Sequence, residues 1–226
     1  MTRFPQFRPV ADSAVLVAFG DRIAPDIHGR VLALDRRISR DRLLGLSETV
    51  PAYASLLVVF DPLVTDHAAV ITALSAMSEP ETGPPATGQM HQVDICYDLD
   101  LSTDLAAVAA ATGLDIEAVI AAHLSADYRV YMYGFAPGYA YLAGVPQALH
   151  LPRKPTALRD VPKGRVIIAG PQCIVTTLTM PTGWWIIGAS PTEILRTDPA
   201  RPFLFDVGDT VRFRRISRAD YDRKRP

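Results

Sequence analysis

The chain has 226 residues, of which 49% are apolar, and its formal net charge at pH 7 is −1. This length allows one large domain or two small ones, and the apolar content excludes an intrinsically disordered chain. Acidic and basic residues are interspersed, so the charge gives no basis for binding nucleic acid or a strongly anionic membrane surface.

The cysteine pattern and the N-terminus bear on location and metal binding. The two cysteines, Cys96 and Cys173, lie far apart and outside any C-x-x-C pair. Such spacing argues against a disulfide framework or a zinc site and fits a reducing cytosol. The N-terminus lacks the apolar run of a signal peptide, and no apolar run of about 18 residues predicts a membrane span. We therefore expect a cytoplasmic protein and no metal site in this chain.

The first 80 residues predict a small α/β domain. Residues 14–19 form an apolar run that indicates a buried strand, and Pro25 suits the first turn of an amphipathic helix. A second apolar run at residues 56–60 predicts another strand, after which Asp66 can cap a second helix. This alternation of strand and helix favours an α/β sandwich. Residues 79–88, rich in Pro, Gly and Thr, predict an interdomain linker, so the first domain with its linker spans residues 1–88.

The second predicted domain spans residues 89–226. It opens with a strand at residues 92–97 and two short helices, for which Ser102 and Asp115 are the expected caps. From Tyr128 onward, short β-prone segments separated by Gly and Pro predict a small all-β barrel or sandwich; they lie at residues 129–133, 166–169, 173–177, 184–187 and 210–215. The Arg-rich end is interspersed with Asp and predicts a solvated tail.

The stretch from Tyr133 to Tyr141 is the first candidate site. Pro137 fixes φ and Gly138 can adopt positive φ, so the stretch can form a rigid turn that presents Tyr133 and Tyr139. The functional interpretation is a pocket wall for a small amide or ring. The alternative is a set of aromatic residues crossing the barrel core.

Polar side chains elsewhere supply further candidates. His123 falls on the apolar face of its predicted helix near the C-terminus, where the helix dipole would favour the protonated form. It is a candidate general acid or base; the alternative is a packed, hydrogen-bonded residue. Gln172 follows a predicted strand and could pair with a substrate amide. The adjacent Cys173 has no evident base, which favours a buried structural cysteine over a nucleophile.

A basic stretch interrupted by prolines follows the aromatic stretch and consists of Arg153, Lys154, Arg159 and Lys163. Prolines hold such a stretch extended, so these side chains could converge on a carboxylate or a phosphate. The alternative is a solvated loop, because charged runs usually face water.

A series of motifs resembles one known family. The series comprises residues 131–142 (YMYGFAPGYAYL), 151–154 (LPRK), 161–164 (VPKG), 168–172 (IAGPQ), 181–184 (PTGW) and 187–191 (IGASP). It is similar to the family that includes allophanate hydrolase subunit 1, the B subunit of 5-oxoprolinase, and the sporulation-kinase inhibitor type. The resemblance extends over nearly the whole chain.

The resemblance implies an α+β fold in which a small N-terminal α/β domain precedes a cyclophilin-like β-barrel. It implies one component of an ATP-dependent hydrolase that opens 5-oxoproline to glutamate. The partners would be a homologous cyclophilin-like protein, of the allophanate hydrolase subunit 2 type, and a third, barrel-type subunit. It also implies substrate-binding roles for Phe135 and Trp184. No phosphate-binding loop motif is present, so ATP would be shared with the partner or held by it.

Two alternatives follow from the same resemblance. One is a carboxyltransferase or allophanate-type module that acts on another small amide. The family pattern has Thr-Gly-Ile-Tyr-Pro where this chain has residues 173–177 (CIVTT), and this difference bears on the substrate. The other is a binding protein that inhibits a histidine kinase.

Overall fold

The computed structural model describes residues 4–78 and 88–225. The chain divides into two compact units between residues 87 and 88. The predicted linker at residues 79–88 lies outside the described residues except for Gly88, and the exact domain boundary stays a prediction.

The N-terminal unit contains a four-stranded antiparallel sheet and two helices within its described residues. In chain order these are β1 (Gln6–Val10), β2 (Ala14–Ala18), α1 (Pro25–Asp41), β3 (Leu46–Pro51), β4 (Ser55–Phe60) and α2 (His67–Met77). The sheet order is β1-β2-β4-β3. The two central strands are the ones that the apolar runs predicted.

Local chemistry explains these elements. Pro25 occupies the first turn of α1, and the Asp66 carboxylate accepts a hydrogen bond from Ala69 N at 2.9 Å and caps α2, as predicted. Val17 of β2 and Leu56 of β4 are completely buried in one hydrophobic cluster with apolar residues of both helices. This unit therefore has a hydrophobic core of its own.

The C-terminal unit carries most of the strands. Its elements are β5 (Met90–Ile95), α3 (Leu105–Thr112), α4 (Ile116–Leu124), β6 (Tyr128–Tyr133), β7 (Ala140–Ala143), a 3-10 turn (Gln147–Leu149), β8 (Leu158–Val161), β9 (Arg165–Ala169), β10 (Gln172–Val175), β11 (Met180–Thr182), β12 (Trp185–Ala189), β13 (Thr210–Arg215) and α5 (Arg218–Lys224).

Seven of these strands form a nearly closed barrel in the order β12-β9-β10-β7-β6-β13-β5. Only the β13–β5 pair is parallel among the described strand pairs of this sheet. The outer strands meet where Cys96 and Ala189 exchange backbone hydrogen bonds of 2.8 and 2.9 Å. We call this contact the barrel seam. The predicted α+β fold with a C-terminal β-barrel is confirmed; the cyclophilin-like assignment stays a prediction.

Two local predictions were wrong. Ser102 does not cap α3, because its hydroxyl donates to the carbonyls of Tyr97 and Asp98; the N-cap residue is Asp104. The Arg-rich end is not a solvated tail after β13, because it folds into α5 with Tyr221 buried. The Asp115 cap is confirmed by a 2.7 Å hydrogen bond from Ala118 N.

Within the described residues, no helix by itself has the length and apolar character needed to cross a membrane. Only α3 and α4 taken together, bent by 94°, satisfy length and composition.

Candidate functional site

The C-terminal unit contains a cleft of about 390 Å³, which we call the main cleft. It is formed by the turn that leads into β9, the segment after β10, the segment after β12, and α5. The lining residues are Leu101, Pro162, Lys163, Gly164, Arg165, Thr176, Thr177, Thr179, Ser190, Pro191, Thr192, Glu193, Ile194, Leu195, Tyr221 and Arg225. These four parts of the sequence, together with Leu101, thus meet at one place.

Backbone hydrogen bonds hold one side of the main cleft rigid. Gly164 N donates to the Thr176 carbonyl at 2.6 Å, and Ser190 N donates to the Gly164 carbonyl at 2.7 Å. Arg165 N donates to the Thr176 hydroxyl at 2.9 Å. Gly164 has φ of +81°, and a Cβ atom there would lie 2.8 Å from the Ser190 carbonyl oxygen. Only glycine fits both the conformation and the close approach.

The lining of the main cleft is rich in cations and hydroxyl groups. The lining contains three cationic side chains, those of Lys163, Arg165 and Arg225, and one carboxylate, that of Glu193. Arg165 donates to the Leu101 carbonyl at 2.9 Å, whereas Lys163 and Arg225 have no side-chain partner within residues 4–78 and 88–225. Hydroxyl groups come from Thr176, Thr177, Thr179, Ser190 and Thr192. The arrangement suits a small anion that also carries amide groups.

The aromatic turn, residues 133–141, lies behind one wall of this cleft. The Thr177 hydroxyl donates to the Pro137 carbonyl at 2.6 Å. Gly138 has φ of +73°, and a Cβ there would lie 3.1 Å from both Leu195 Cβ and Thr177 Cγ2. Pro137 and Gly138 therefore support the wall without lining the cleft. Phe135 is 69% exposed and does not line it either.

Three of the aromatic residues predicted to contact the substrate are packed against other parts of the C-terminal unit. Tyr133 stacks on Phe203 with a centroid distance of 4.8 Å and donates to the Phe205 carbonyl at 2.8 Å, and burial raises the pKa of its hydroxyl. Tyr139 and Trp184 are buried in one hydrophobic cluster. This packing matches the alternative of aromatics that cross the core; substrate binding by them stays a prediction.

The structure does not bring the four basic residues of residues 153–163 together. Lys163 lines the main cleft, while Lys154 donates to Asp104 at 2.6 Å in an ion pair that is nearly buried. Arg159 is exposed on β8. Arg153 lies with Gln172 along a separate, open cleft of about 340 Å³. The predicted convergence on one anion is therefore wrong, because Arg153 and Lys154 lie in a different loop segment from Lys163, and Arg159 lies on β8, which pairs with β11 outside the barrel sheet.

His123 lies inside the core. It is completely buried, its Nδ1 is 2.7 Å from the Tyr97 hydroxyl oxygen, and its Nε2 is 3.8 Å from Cys173 Sγ. Burial lowers the pKa of His123 to about 3, so the ring is neutral. The expectation that the helix dipole favours the protonated form was wrong, because desolvation outweighs the dipole. The position fits the packed, hydrogen-bonded alternative; the acid–base role stays an untested prediction.

Cys173 is also buried, and burial raises the pKa of its thiol. This agrees with the structural interpretation rather than with a nucleophile, which requires a thiolate. Within the described parts of the chain, no group of three or more His, Cys, Asp or Glu side chains could hold a metal ion.

Sequence reasoning missed most of the main cleft. Arg165, Thr176 and Ser190 were not candidates, although the motifs around residues 161–164 and 187–191 adjoin them. Motif position was therefore the available signal. Their proximity depends on the pairing of β9 with both β10 and β12, which spacing along the chain does not reveal.

Comparison with known proteins gives the family. Residues 5–205 match the model of the carboxyltransferase domain, subdomain C and D. The chain is 32% identical to the B subunit of 5-oxoprolinase from Bacillus subtilis over 98% of this chain and 97% of that protein. The chain therefore belongs to the carboxyltransferase-domain family that includes this 5-oxoprolinase component, as its motifs predicted.

Two solved structures extend this comparison. The crystal structure of TTHA0988 is 35% identical with a TM-score of 0.78; the match covers 91% of this chain but only 40% of that chain. The urea amidolyase of K. lactis is 17% identical with a TM-score of 0.80, covering 96% of this chain and 15% of that one. The second likeness concerns the fold alone. Both solved proteins are much longer than this chain.

Proposed function

We propose that this protein is the B subunit of a 5-oxoprolinase-type complex that hydrolyses 5-oxoproline to glutamate with ATP. The observation that carries the proposal is the main cleft, where Lys163 and Arg225 adjoin several hydroxyl groups. The name of the B. subtilis relative, which this chain matches over nearly its full length, supports the same substrate. The two buried free cysteines are consistent with a reducing cytoplasm, where we place the complex.

The chemistry of 5-oxoproline fits the lining of the main cleft. Its carboxylate would pair with Lys163 and Arg225, and charge-assisted hydrogen bonds of this kind are the stronger class. Its ring N–H would donate to the Thr177 hydroxyl, whose own proton is donated to the Pro137 carbonyl, and its ring carbonyl would accept from the Thr179 hydroxyl. Hydrolysis breaks the ring C–N bond; one water supplies OH to the carbon and H to the nitrogen, and a second water hydrolyses ATP to ADP and phosphate. This chain would bind and orient the ring for that step.

We place the rest of the machinery on companion proteins. One is a homologous cyclophilin-like protein of the allophanate hydrolase subunit 2 type, which we call the homologous companion, and the other is a third, barrel-type subunit. ATP would be held by a companion or shared with it. The chain is not expected to be active by itself.

The test is reconstitution. This chain is combined with its two companions from the same organism, and glutamate release from 5-oxoproline is measured with and without ATP. We expect ATP-dependent activity. Lys163→Met should raise the KM for 5-oxoproline about tenfold or more, because one charged hydrogen bond to the substrate carboxylate is lost. Lys163→Arg should retain most of the affinity.

A matched control is Arg36→Ala, which removes an exposed cation from α1 in the other unit. Its KM should equal that of the unaltered protein. Absence of glutamate release with all three components present would exclude the assigned substrate. Equal KM values for Lys163→Met and Arg36→Ala would exclude the main cleft as its binding site.

A second candidate is a module acting on another small amide. It is favoured by the hydroxyls of Thr176 and Thr177 in the main cleft, at positions where the family pattern has Tyr-Pro. A screen of linear and cyclic amides with the reconstituted complex separates the two candidates. Turnover of a different amide without turnover of 5-oxoproline would favour the second.

A further inference from the structure

Phe135 sits at the centre of a strained turn. Its φ is +69°, and Ala136 N donates to the Gly134 carbonyl at 2.8 Å, which closes a three-residue γ-turn around it. A γ-turn with positive φ is the rare and strained form, and a bulky residue in that region is unusual. Glycine would adopt the same conformation without strain. The local backbone conformation therefore does not explain why a phenylalanine occupies this position.

Neighbouring hydrogen bonds hold this turn in place. Tyr139 N donates to the Ala136 carbonyl at 3.1 Å, and Gly134 N donates to the Tyr139 carbonyl at 3.2 Å. The Thr177 hydroxyl holds the Pro137 carbonyl at 2.6 Å. Backbone strain persists where surrounding structure over-determines it, and such positions cluster at functional sites.

The strained conformation does not serve the core. The Phe135 side chain is 69% exposed, and its ring contacts Tyr139 edge-on at a centroid distance of 5.6 Å. Pro137 is exposed beside it, and Leu178, which follows the residue that holds Pro137, is 37% exposed. The Thr177–Pro137 hydrogen bond thus brings the segment with exposed Leu178, flanked in the chain by the polar Thr177 and Thr179, close to the exposed Phe135 and Pro137. An aromatic anchor with a polar surround is the usual anatomy of a protein interface.

We propose that Phe135 is the anchor by which this chain docks onto its homologous companion. The inference rests on the proposed function, because it requires that a companion exists. The occupant is a protein chain, because TTHA0988 contains the counterpart of this chain in 40% of its length and carries further protein in the remainder. The B. subtilis relative, of nearly the same length as this chain, is named as one component of an enzyme. The companion would be the separate counterpart of that additional protein.

The location also connects docking to the main cleft. Thr177 donates to Pro137 in the turn and is also one of the residues that line the cleft. A companion seated on Phe135 would therefore lie against the wall of the proposed substrate site. It could contribute the groups that complete that site.

The test measures the affinity of the full chain for the purified homologous companion of the same organism. Phe135→Ala should raise the dissociation constant at least about tenfold, as expected for an aromatic hot spot. The matched control is Leu99→Ala, because Leu99 is 66% exposed in the same unit. Its dissociation constant should equal that of the unaltered chain.

A second variant separates docking from folding. Phe135→Gly should bind as weakly as Phe135→Ala yet melt at a higher temperature than it, because alanine retains the strain at positive φ and glycine does not. Such a result would show that the Phe135 side chain contributes to binding and that the strained backbone serves to hold this side chain at the surface. A melting temperature of Phe135→Gly below that of Phe135→Ala would overturn the strain argument.

Other outcomes count against the proposal. Equal affinities of Phe135→Ala and Leu99→Ala would overturn it and leave the proposed function intact. Failure of the unaltered chain to bind the homologous companion would instead remove the proposed complex. The proposal is also overturned if the only effect of Phe135→Ala is to dissociate a homodimer of this chain. It is likewise overturned if the variant only raises the KM for 5-oxoproline when the companion is saturating, because Phe135 would then be a substrate contact.

Discussion

His123 shows how one buried side chain couples stability to pH. Its neutral ring shares a hydrogen bond with the Tyr97 hydroxyl in a site that is closed to water. The folded-state pKa is about 3, against an ordinary value of 6.5. Between these values the unfolded chain binds a proton that the folded chain excludes, so stability is present above the ordinary pKa and is lost as pH falls toward 3.

We therefore predict that the contribution of His123 lowers the free energy of unfolding by about 2 kcal/mol between about pH 7 and pH 5. The measurement is urea denaturation at several pH values. The comparison is the double variant Tyr97→Phe/His123→Leu, which removes the titrating ring and its partner together and leaves no unpaired hydroxyl. The variant should show a shallower pH dependence over this range. An identical dependence would mean that the ring becomes protonated inside the folded protein.

The residue scale also shows what the sequence could reveal of the candidate site. Lys163 could be named as a candidate because it belongs to the basic stretch interrupted by prolines, and the structure places it in the lining of the main cleft. Thr176 and Ser190 could not, because isolated hydroxyl residues carry no chemical signal until the barrel places them together. His123 was assigned to the correct helix face, but its protonation depends on desolvation by the tertiary structure.

At the scale of elements, α5 covers the barrel seam. Tyr221 is buried in one cluster with Cys96 and Ala189, the residues whose hydrogen bonds join the outer strands, and with Leu101. Lys224 pairs with Asp94 of β5 at 2.5 Å, and the Asp94 carboxylate, which is only 12% exposed, also pairs with Arg214. Burial of the tyrosine ring and this ion pair both attach the helix to the barrel. The same residue also lines the main cleft.

We predict that Tyr221→Ala lowers the free energy of unfolding by about 2–4 kcal/mol, because a buried aromatic ring is lost from a small cluster. It should also raise KM in the reconstituted complex, because the cleft loses one of its walls. Chemical denaturation and steady-state kinetics measure the two effects. The control is Arg223→Ala, which alters an exposed residue of the same helix. Equal stabilities of the two variants would contradict the role assigned to α5.

The elements also divide into those that sequence patterns predict and those that they do not. Buried runs such as β4 and capped helices such as α2 were identified, since burial and capping are local signals. The edge strand β1 was missed because most of its residues are exposed and it contains Pro9. The helix α5 was missed because its seven residues are mostly charged, and its single buried tyrosine finds its partners only in the folded barrel.

At the scale of the whole molecule, each unit carries its own hydrophobic core. The N-terminal cluster consists of residues from the sheet β1-β2-β4-β3 and its helices, and the largest barrel cluster consists of residues from β5 onward. The described strands of each unit pair within the sheets of that unit. The C-terminal unit also has a length typical of independently folding domains.

We therefore predict that residues 88–226, expressed without the N-terminal unit, fold cooperatively and keep the main cleft. The expected result is a single unfolding transition and near-UV dichroism from Trp184 and Trp185 that matches their contribution in the full chain. Tyr221→Ala in the isolated unit should destabilise it by the same amount as in the full chain, because the barrel seam lies wholly within this unit. A non-cooperative transition would show that the barrel depends on the N-terminal unit for its folding. A smaller destabilisation by Tyr221→Ala in the isolated unit would show that the barrel seam depends on the N-terminal unit.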